Sequence, residues 1–341
     1  MPGRTARPSR SFGWFVPEGS APVVGGSPLS YTAAMQRLDG GSAVPEALRG
    51  GIVALGNFDG FHRGHQAVVG RAVARARAEG RPALVATFDP HPVRHFRPEA
   101  APFRLTSLDQ RQRLFAEAGA DAMIVFGFDG GLAGTSAEDF VSERLVRLIG
   151  AAGVVTGEDF TFGSKRGGNI EVLKRLGGEH GFSVDAVGPV EADGEAISSS
   201  RIREALIAGD CDTAARLLTR PFAIEGVVEH GDKRGRTLGY PTANLSLGSY
   251  LRPRFGIYAV RGRLPGGQVV GGAASLGIRP TFDPPKELLE PFFFNFSGDL
   301  YGHTIEVELV SFLRPEEKFD SLDALTVQME ADCAEARRRL G

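Results

Sequence analysis

Between Gly51 and Val187 short apolar runs alternate with helix-like segments, and this alternation leaves the chain few folds to choose from. Ile52-Val53-Ala54-Leu55 is apolar throughout and stops at Gly56, the pattern of a strand covered on both faces. Residues 64–79 are rich in Ala and Arg, contain no Pro and stop at Gly80, which reads as a helix closed by a glycine. Ala83 to Phe88 is a second buried run. Ser107-Leu108-Asp109-Gln110 carries a capping-box pattern ahead of a helix ending near Gly119. Ala122 to Phe126 reads as a strand, and Ser136 opens a helix reaching Ile149. Val154-Val155 and Val184 to Val187 complete the series. Strands separated by helices form a parallel sheet, with right-handed crossovers that bring the strand C-terminal ends to one edge. A ligand site is expected along that edge.

The alternation ends near Thr219-Arg220-Pro221. Short glycine-rich strands are expected after it, at 223–229, 256–262, 268–275, 292–296 and 304–310, which suits a small closed antiparallel barrel. A last helix from Ser321 to Leu340 places Leu322, Leu325, Met329 and Cys333 on one stripe for packing outside the barrel. Arg337, Arg338 and Arg339 fall in its final turn, where positive charge suits the helix dipole. The expected fold class is therefore α/β plus all-β, a Rossmann-like N-terminal domain with a parallel sheet and a C-terminal small antiparallel β-barrel with a terminal helix. Residues 1–48 lack sustained periodicity and read mostly as a flexible N-terminal extension, with ordered signals only after Met35, a candidate start. The boundaries read 49–205 for the first domain, 206–221 for a helical linker and 222–341 for the second domain.

A net charge of −2 argues against a large nucleic-acid footprint. No apolar run approaches the length needed to span a bilayer, and Trp14-Phe15-Val16 is too short for a secretion signal. Cys211 and Cys333 lack metal-ligand spacing and read as packing residues of a reducing cytosol. A cytoplasmic protein acting on small molecules is expected, bound to neither nucleic acid nor membrane, with the number of copies left open.

The sharpest string is Gly56-Asn57-Phe58-Asp59-Gly60-Phe61-His62-Arg63-Gly64-His65, between the first strand and the first helix. Glycines let a backbone approach a polyphosphate, and a helix N-terminus offers unpaired N–H groups to it. His62 and His65 can both address oxygens whose charge grows in a transition state. Thr87-Phe88-Asp89-Pro90-His91-Pro92 ends the second strand on the same edge. Gly157-Glu158-Asp159-Phe160-Thr161-Phe162-Gly163 and then Arg166 follow the fourth strand. Their aromatics suit stacking on a flat ring, although Phe160 and Phe162 read equally well as core. Ile197-Ser198-Ser199-Ser200-Arg201-Ile202-Arg203 opens a helix where hydroxyls and N–H groups gather; taken alone, the serines are also ordinary caps.

These strings resemble the FAD synthetase branch of the H-x-G-H nucleotidyltransferases. The resemblance implies that His62, His65 and Arg203 are catalytic and that Gly56, Asn57, Phe58, Asp59, Gly64, Ser199 and Ser200 bind ATP and its phosphates. It gives Asp159, Phe160, Phe162 and Arg166 to the flavin. The string Gly226 to Asn244 resembles the riboflavin kinase signature. It implies a loop of Gly231, Lys233, Gly235, Arg236, Gly239 and Pro241 over ATP, with Thr242 and Asn244 as oxygen ligands for Mg²⁺. Counting back from Gly298-Asp299-Leu300-Tyr301-Gly302 places the family's general base at Glu290. Gly277-Ile278-Arg279-Pro280-Thr281-Phe282 shapes a loop beside the isoalloxazine, whereas Glu316, Glu317 and Lys318 read as a solvated approach with no role.

Together the resemblances imply an enzyme that phosphorylates riboflavin to FMN with ATP and then adenylylates FMN to FAD, releasing pyrophosphate. The sequence departs from the family after Glu290, where Pro291, Phe292 and Asn295 replace polar and acidic residues. Those changes keep open an FAD synthetase whose barrel binds flavin without phosphorylating it. A flavin- or RNA-binding regulator without catalysis is the third reading, against which His62, His65 and Arg203 speak.

Overall fold

The computed structural model describes residues 35–230, 242–279 and 286–341. The parallel sheet consists of β1 (Gln36–Asp39), β2 (Ile52–Leu55), β3 (Ala83–Asp89), β4 (Ala122–Gly127), β5 (Gly153–Gly157) and β6 (Ser183–Val187), in the order β1-β4-β3-β2-β5-β6. All neighbouring pairs run parallel. β2 is buried along its whole length, as an unbroken apolar run must be when helices cover both faces. The order steps from β2 to β3 and β4, then returns to set β5 on the other side of β2. That reversal opens a crevice at the C-terminal end of β2, where residues 56–65 lie.

Helix α1 (Arg63–Glu79) turns Val68, Val69, Ala72, Val73 and Ala76 onto the sheet. It stops at Gly80, which closes the helix in the left-handed region at φ 63°. Helix α2 (Leu108–Glu117) starts with a complete capping box. The Ser107 hydroxyl accepts from Gln110 N, and the Gln110 side chain accepts from Ser107 N. The wide-turned helix α3 (Phe140–Ile149) and α4 (Ile170–His180) cover the opposite face. A hairpin of β7 (Glu191–Ala192) and β8 (Glu195–Ala196) leads into α5 (Ser199–Ala208) and α6 (Cys211–Leu218).

The barrel is built from β9 (Phe222–Glu229), β10 (Asn244–Ser246), β11 (Gly256–Arg263), β12 (Val269–Arg279), β13 (Lys286–Phe293) and β14 (Thr304–Arg314), closed in the order β10-β13-β12-β11-β14-β9. Closure removes the open edges that six short strands would otherwise present. Leu245, Tyr258, Leu276, Leu289 and Val307 fill the inside. Helix α7 (Leu322–Leu340) lies on the outside, where Cys333 and Ala336 meet Ala259 and Ala273. A bidentate pair from Arg314 Nε and Nη2 to Asp332 fixes it at 2.8 and 2.7 Å.

Four expectations are corrected. Residues 35–48 are not extension: β1 pairs with β4 at the sheet edge, and Gln112 Nε2 donates to Met35 O at 2.7 Å. Four residues held by backbone bonds are too few to show a period. The linker does not begin at 206, because Ser199–Ala208 is one helix. The strand expected at 292–296 runs instead over Lys286–Phe293, and Asn295 lies beyond it at φ 57°, a region Asn tolerates better than most residues. Leu322 is exposed and leaves the stripe of α7.

Helices α5 and α6 do more than connect. Ile202, Leu206, Leu217 and Leu218 belong to the same buried cluster as the barrel interior, together with Leu105 from the first domain. Leu217→Ala is expected to lower stability by about 2–5 kcal/mol, measured by urea unfolding, and to loosen both domains in one transition.

Candidate active sites

His62 is the N-cap of α1. Its Nδ1 accepts the backbone N–H of His65 at 3.4 Å, which leaves the proton of the neutral ring on Nε2. The two imidazoles stack with centroids 3.6 Å apart and an angle of 21°. Burial, with Arg203 and Arg220 nearby, lowers the His62 pKa to about 4 against the opposing pull of Asp59. Burial also holds His65 well below its usual value, assisted by His62 and Arg203. Both rings are therefore neutral at pH 7, as close stacking requires. Gly64 is needed for a close approach: a Cβ there would meet His62 Cε1 at 3.1 Å and Ile197 O at 3.7 Å. The start of α1 thus touches the segment that opens α5, and two helix N-termini converge on one point.

Asp59 organises this junction from within. Its buried carboxylate accepts from Leu105 N at 2.9 Å and Thr106 N at 3.0 Å, and pairs with Arg203 Nη2 at 2.7 Å. Arg203 Nε also donates to Phe103 O at 2.9 Å. Ser199 Oγ donates to Asp59 O at 2.9 Å, Ser198 caps α5, and Ser200 is exposed. Arg201 faces away, donating to Ala192 O, Glu195 O and Ala196 O.

Two residues expected to contact ATP have partners within the protein. Phe58 is buried, edge-on to His65 and Phe115, and forms part of the core. The carboxylate of Asp59 is engaged by Leu105 N, Thr106 N and Arg203 Nη2. Gly56 makes room for the Phe58 ring, which a Cβ would approach to 3.0 Å.

Beside the junction lies a cleft of about 850 Å³. Asn57, Phe88, His91, Phe96, Phe128, Phe160, Phe162 and Arg166 are among its lining residues, and Asp159 is not. Phe160 and Phe162 are near-parallel with centroids 5.8 Å apart, and Phe162 also packs on Phe140. One ring therefore serves core and cleft together. Phe96 and Phe128 were missed by sequence reasoning, although Phe96 is only four residues beyond the Thr87–Pro92 string. Burial lowers the His91 pKa to about 4.

In the barrel Glu290 sits on β13 opposite Ser275. Leu289 and Phe293 point into the barrel core, which puts Glu290 on the outer face. Arg279 Nε pairs with Glu290, its Nη1 with Glu316 Oε1 at 2.9 Å, and its Nη2 donates to Ser275 Oγ at 2.7 Å. Burial disfavours this guanidinium's charge, but Glu290 and Glu316 outweigh it and hold its pKa above the usual range. Glu316, expected to be idle, is thus corrected to a member of the cluster. Its link to Arg279 spans 37 positions, a distance no local pattern reports.

Pro291 lacks an N–H, yet its carbonyl accepts from Ala243 N at 3.0 Å, past the end of the β10 ladder. That bond brings Thr242, Ala243 and Asn244 alongside the residue next to Glu290. Asn244 is buried and Thr242 half-buried. The expected ATP loop of Gly231, Lys233, Gly235, Arg236, Gly239 and Pro241 lies outside the described residues, as does Pro280-Thr281-Phe282.

The family model for FAD synthetase matches residues 44–201, and that for riboflavin kinase matches residues 218–340. A bifunctional riboflavin kinase/FMN adenylyltransferase from Pseudomonas fluorescens is 42% identical over 85% of this chain and 93% of its own length. Its counterpart in Escherichia coli is 38% identical over 86% and 93%. A crystal structure described as a macrolide-efflux protein from Streptococcus pneumoniae superposes with a TM-score of 0.79 at 32% identity, covering 89% of this chain and 99% of that one. Among the described residues no helix is long and apolar enough to cross a membrane. The chain belongs to the bifunctional riboflavin kinase/FMN adenylyltransferase family.

The lowered histidines link pH to stability. In the unfolded chain they bind protons below about 6.5, whereas folded His62 does so only near 4. Their contribution is therefore intact above pH 6.5 and lost as pH falls from 6.5 towards 4. Melting temperature is expected to drop over that window, and His62→Gln should flatten the drop, as followed by calorimetry across pH.

Proposed function

We propose that the two activities of the family are divided between the two halves of this chain, riboflavin phosphorylation at the outer face of the barrel and FMN adenylylation at the edge of the parallel sheet. Each step consumes one ATP. The observation that carries the second assignment is the convergence of two helix N-termini on the stacked, neutral His62–His65 pair, with Arg203 held beside it.

At the sheet edge the phosphate oxygen of FMN attacks the α-phosphorus of ATP, and pyrophosphate leaves. No enzyme nucleophile is needed, so the protein's task is orientation and charge. The Nε2–H of His62 donates to a phosphoryl oxygen as its charge grows, and Arg203 faces the departing pyrophosphate. Main-chain N–H groups at the starts of α1 and α5 bind the remaining oxygens, with Asn57, Ser199 and Ser200 as side-chain partners. The aromatic cleft takes the isoalloxazine, its size being that of an ordinary small-molecule site. Phe160 supplies a stacking face and Arg166 a positive charge.

At the barrel the terminal ribityl hydroxyl attacks the γ-phosphorus of a second ATP, and ADP leaves. Glu290 accepts the hydroxyl proton, and the Arg279–Ser275–Glu316 cluster fixes where that carboxylate stands. Thr242 and Asn244 offer the hard oxygen donors that Mg²⁺ prefers. Among the described residues no group of three His, Cys, Asp or Glu could hold a metal, which fits an ion held mainly by ATP phosphates and water. Bound with ATP, magnesium shields phosphate charge. The buried, unpaired Cys211 and Cys333 favour a cytoplasmic enzyme, and the slightly negative charge favours small-molecule partners over nucleic acid.

With riboflavin, ATP and Mg²⁺, separated flavins are expected to show FMN first and FAD later. His62→Ala should lower FAD formation by about 10²–10³-fold while FMN accumulates. Glu290→Gln should lower FMN formation by about 10²–10⁴-fold yet still convert supplied FMN to FAD. Loss of FMN formation in His62→Ala, or of FAD formation from supplied FMN in Glu290→Gln, would overturn the division of sites.

A further inference from the structure

Helix α2 forms the wall between the sheet edge and the barrel. On its barrel side Gln110 Nε2 donates to Ala223 O at 3.1 Å, and Arg113 pairs with Glu225 at 2.6 Å and Glu306 at 2.7 Å. On its sheet side is Arg111, which is 2% exposed. Arg111 Nη1 donates to Asn57 O at 3.2 Å and to Thr87 Oγ1 at 3.0 Å. Thr87 Oγ1 in turn donates to Asn57 O at 2.9 Å. Two donors, one from α2 and one from the end of β3, therefore converge on the carbonyl of the second residue in the phosphate loop.

Folding alone does not account for a guanidinium here. Its acid partner, Asp89, stands 3.5 Å away and is shared with Arg104. Arg111 Nε is buried with no acceptor, and the side-chain oxygen of Asn57 is buried with no donor. Burial lowers the pKa of Arg111 against the opposing charges of Asp59 and Asp89. Its Nη1 also reaches Phe88 O at 3.5 Å, so the acceptors of this buried cation are the end of β3 and the loop after β2, both at the sheet edge.

We propose that Arg111 is a positioning residue for adenylyl transfer, acting through Asn57 O and Thr87 to hold the phosphate loop at the distance from β3 that in-line attack requires. The idea rests on adenylyl transfer occurring at this sheet edge. His62→Ala tests that assignment separately: if FAD formation survives in His62→Ala, the site is misplaced, whereas its loss there leaves Arg111 to be judged on its own variants.

The test measures kcat and KM for FAD formation from supplied FMN and ATP in the full chain, with FMN formation from riboflavin reporting on the fold. Arg111→Met is expected to lower the adenylyl kcat by about a hundredfold, the effect of misplacing reacting groups by about an ångström. KM for ATP should stay within a few-fold, and Arg111→Lys, which keeps a charged donor, should recover part of the loss. Arg111→Met at wild-type kcat would overturn the proposal. If Arg111→Met loses both activities, Thr87→Val decides, since it removes only the hydroxyl that shares Asn57 O. A lowered adenylyl kcat with intact FMN formation in Thr87→Val supports the proposal, and an unchanged one overturns it.

Discussion

The carboxylate of Asp59 is the tie on which the first half of the molecule depends. It stands in the loop after β2, yet its partners come from the segment at 105–106 and from α5. One buried charge thus fixes the loop after β2, the strap running to α2 and Arg203 on α5. Removing one partner from such a group leaves the others buried and unsatisfied, at about 3–5 kcal/mol. The same carboxylate opposes the loss of charge on His62 while burial drives it. The group that holds the loop thus also opposes, without overcoming, the burial that keeps His62 neutral.

Much of this was legible from the chain. β2 announced itself by four apolar residues in a row, and α2 by Ser107 and Gln110 three apart, because both signals are local. The division into sheet and barrel followed from the change of rhythm after Pro221. What escaped depends on contacts far apart in sequence. The bonds from Asp59 to Leu105, Thr106 and Arg203 reach 46, 47 and 144 positions along the chain, further than any local string reports. Glu316 looked idle among Glu317 and Lys318 until Arg279 folded across to it. Phe58 shares its string with His62, and nothing in the string says that its ring turns into the core against His65 and Phe115. β1 was invisible for another reason: an edge strand of four residues gains its place from β4, not from its own pattern.

The strand carrying Glu290 shows how departures from a family pattern can be absorbed. Pro291 sits where the neighbouring strand has ended and needs only an acceptor there, which its carbonyl provides. Asn295 occupies a left-handed turn that an amide side chain tolerates. Both changes are accommodated by backbone conformation, and neither disturbs the ion pair between Arg279 and Glu290.

The shared core of α5, α6 and the barrel has a consequence for how this protein is taken apart. Its two catalytic halves resemble modules joined end to end, and exchanging them between relatives is a natural experiment. Cutting at 205/206 would split a helix and bare Ile202, Leu206, Leu217 and Leu218 to water. A transplantable kinase piece would need α5 and α6, and it would still lose Leu105 and the bond between Arg104 and the loop at Ser249. The halves are separable in chemistry but not in solvent, so a chimera is more sensibly built by exchanging site residues within one frame than by exchanging domains.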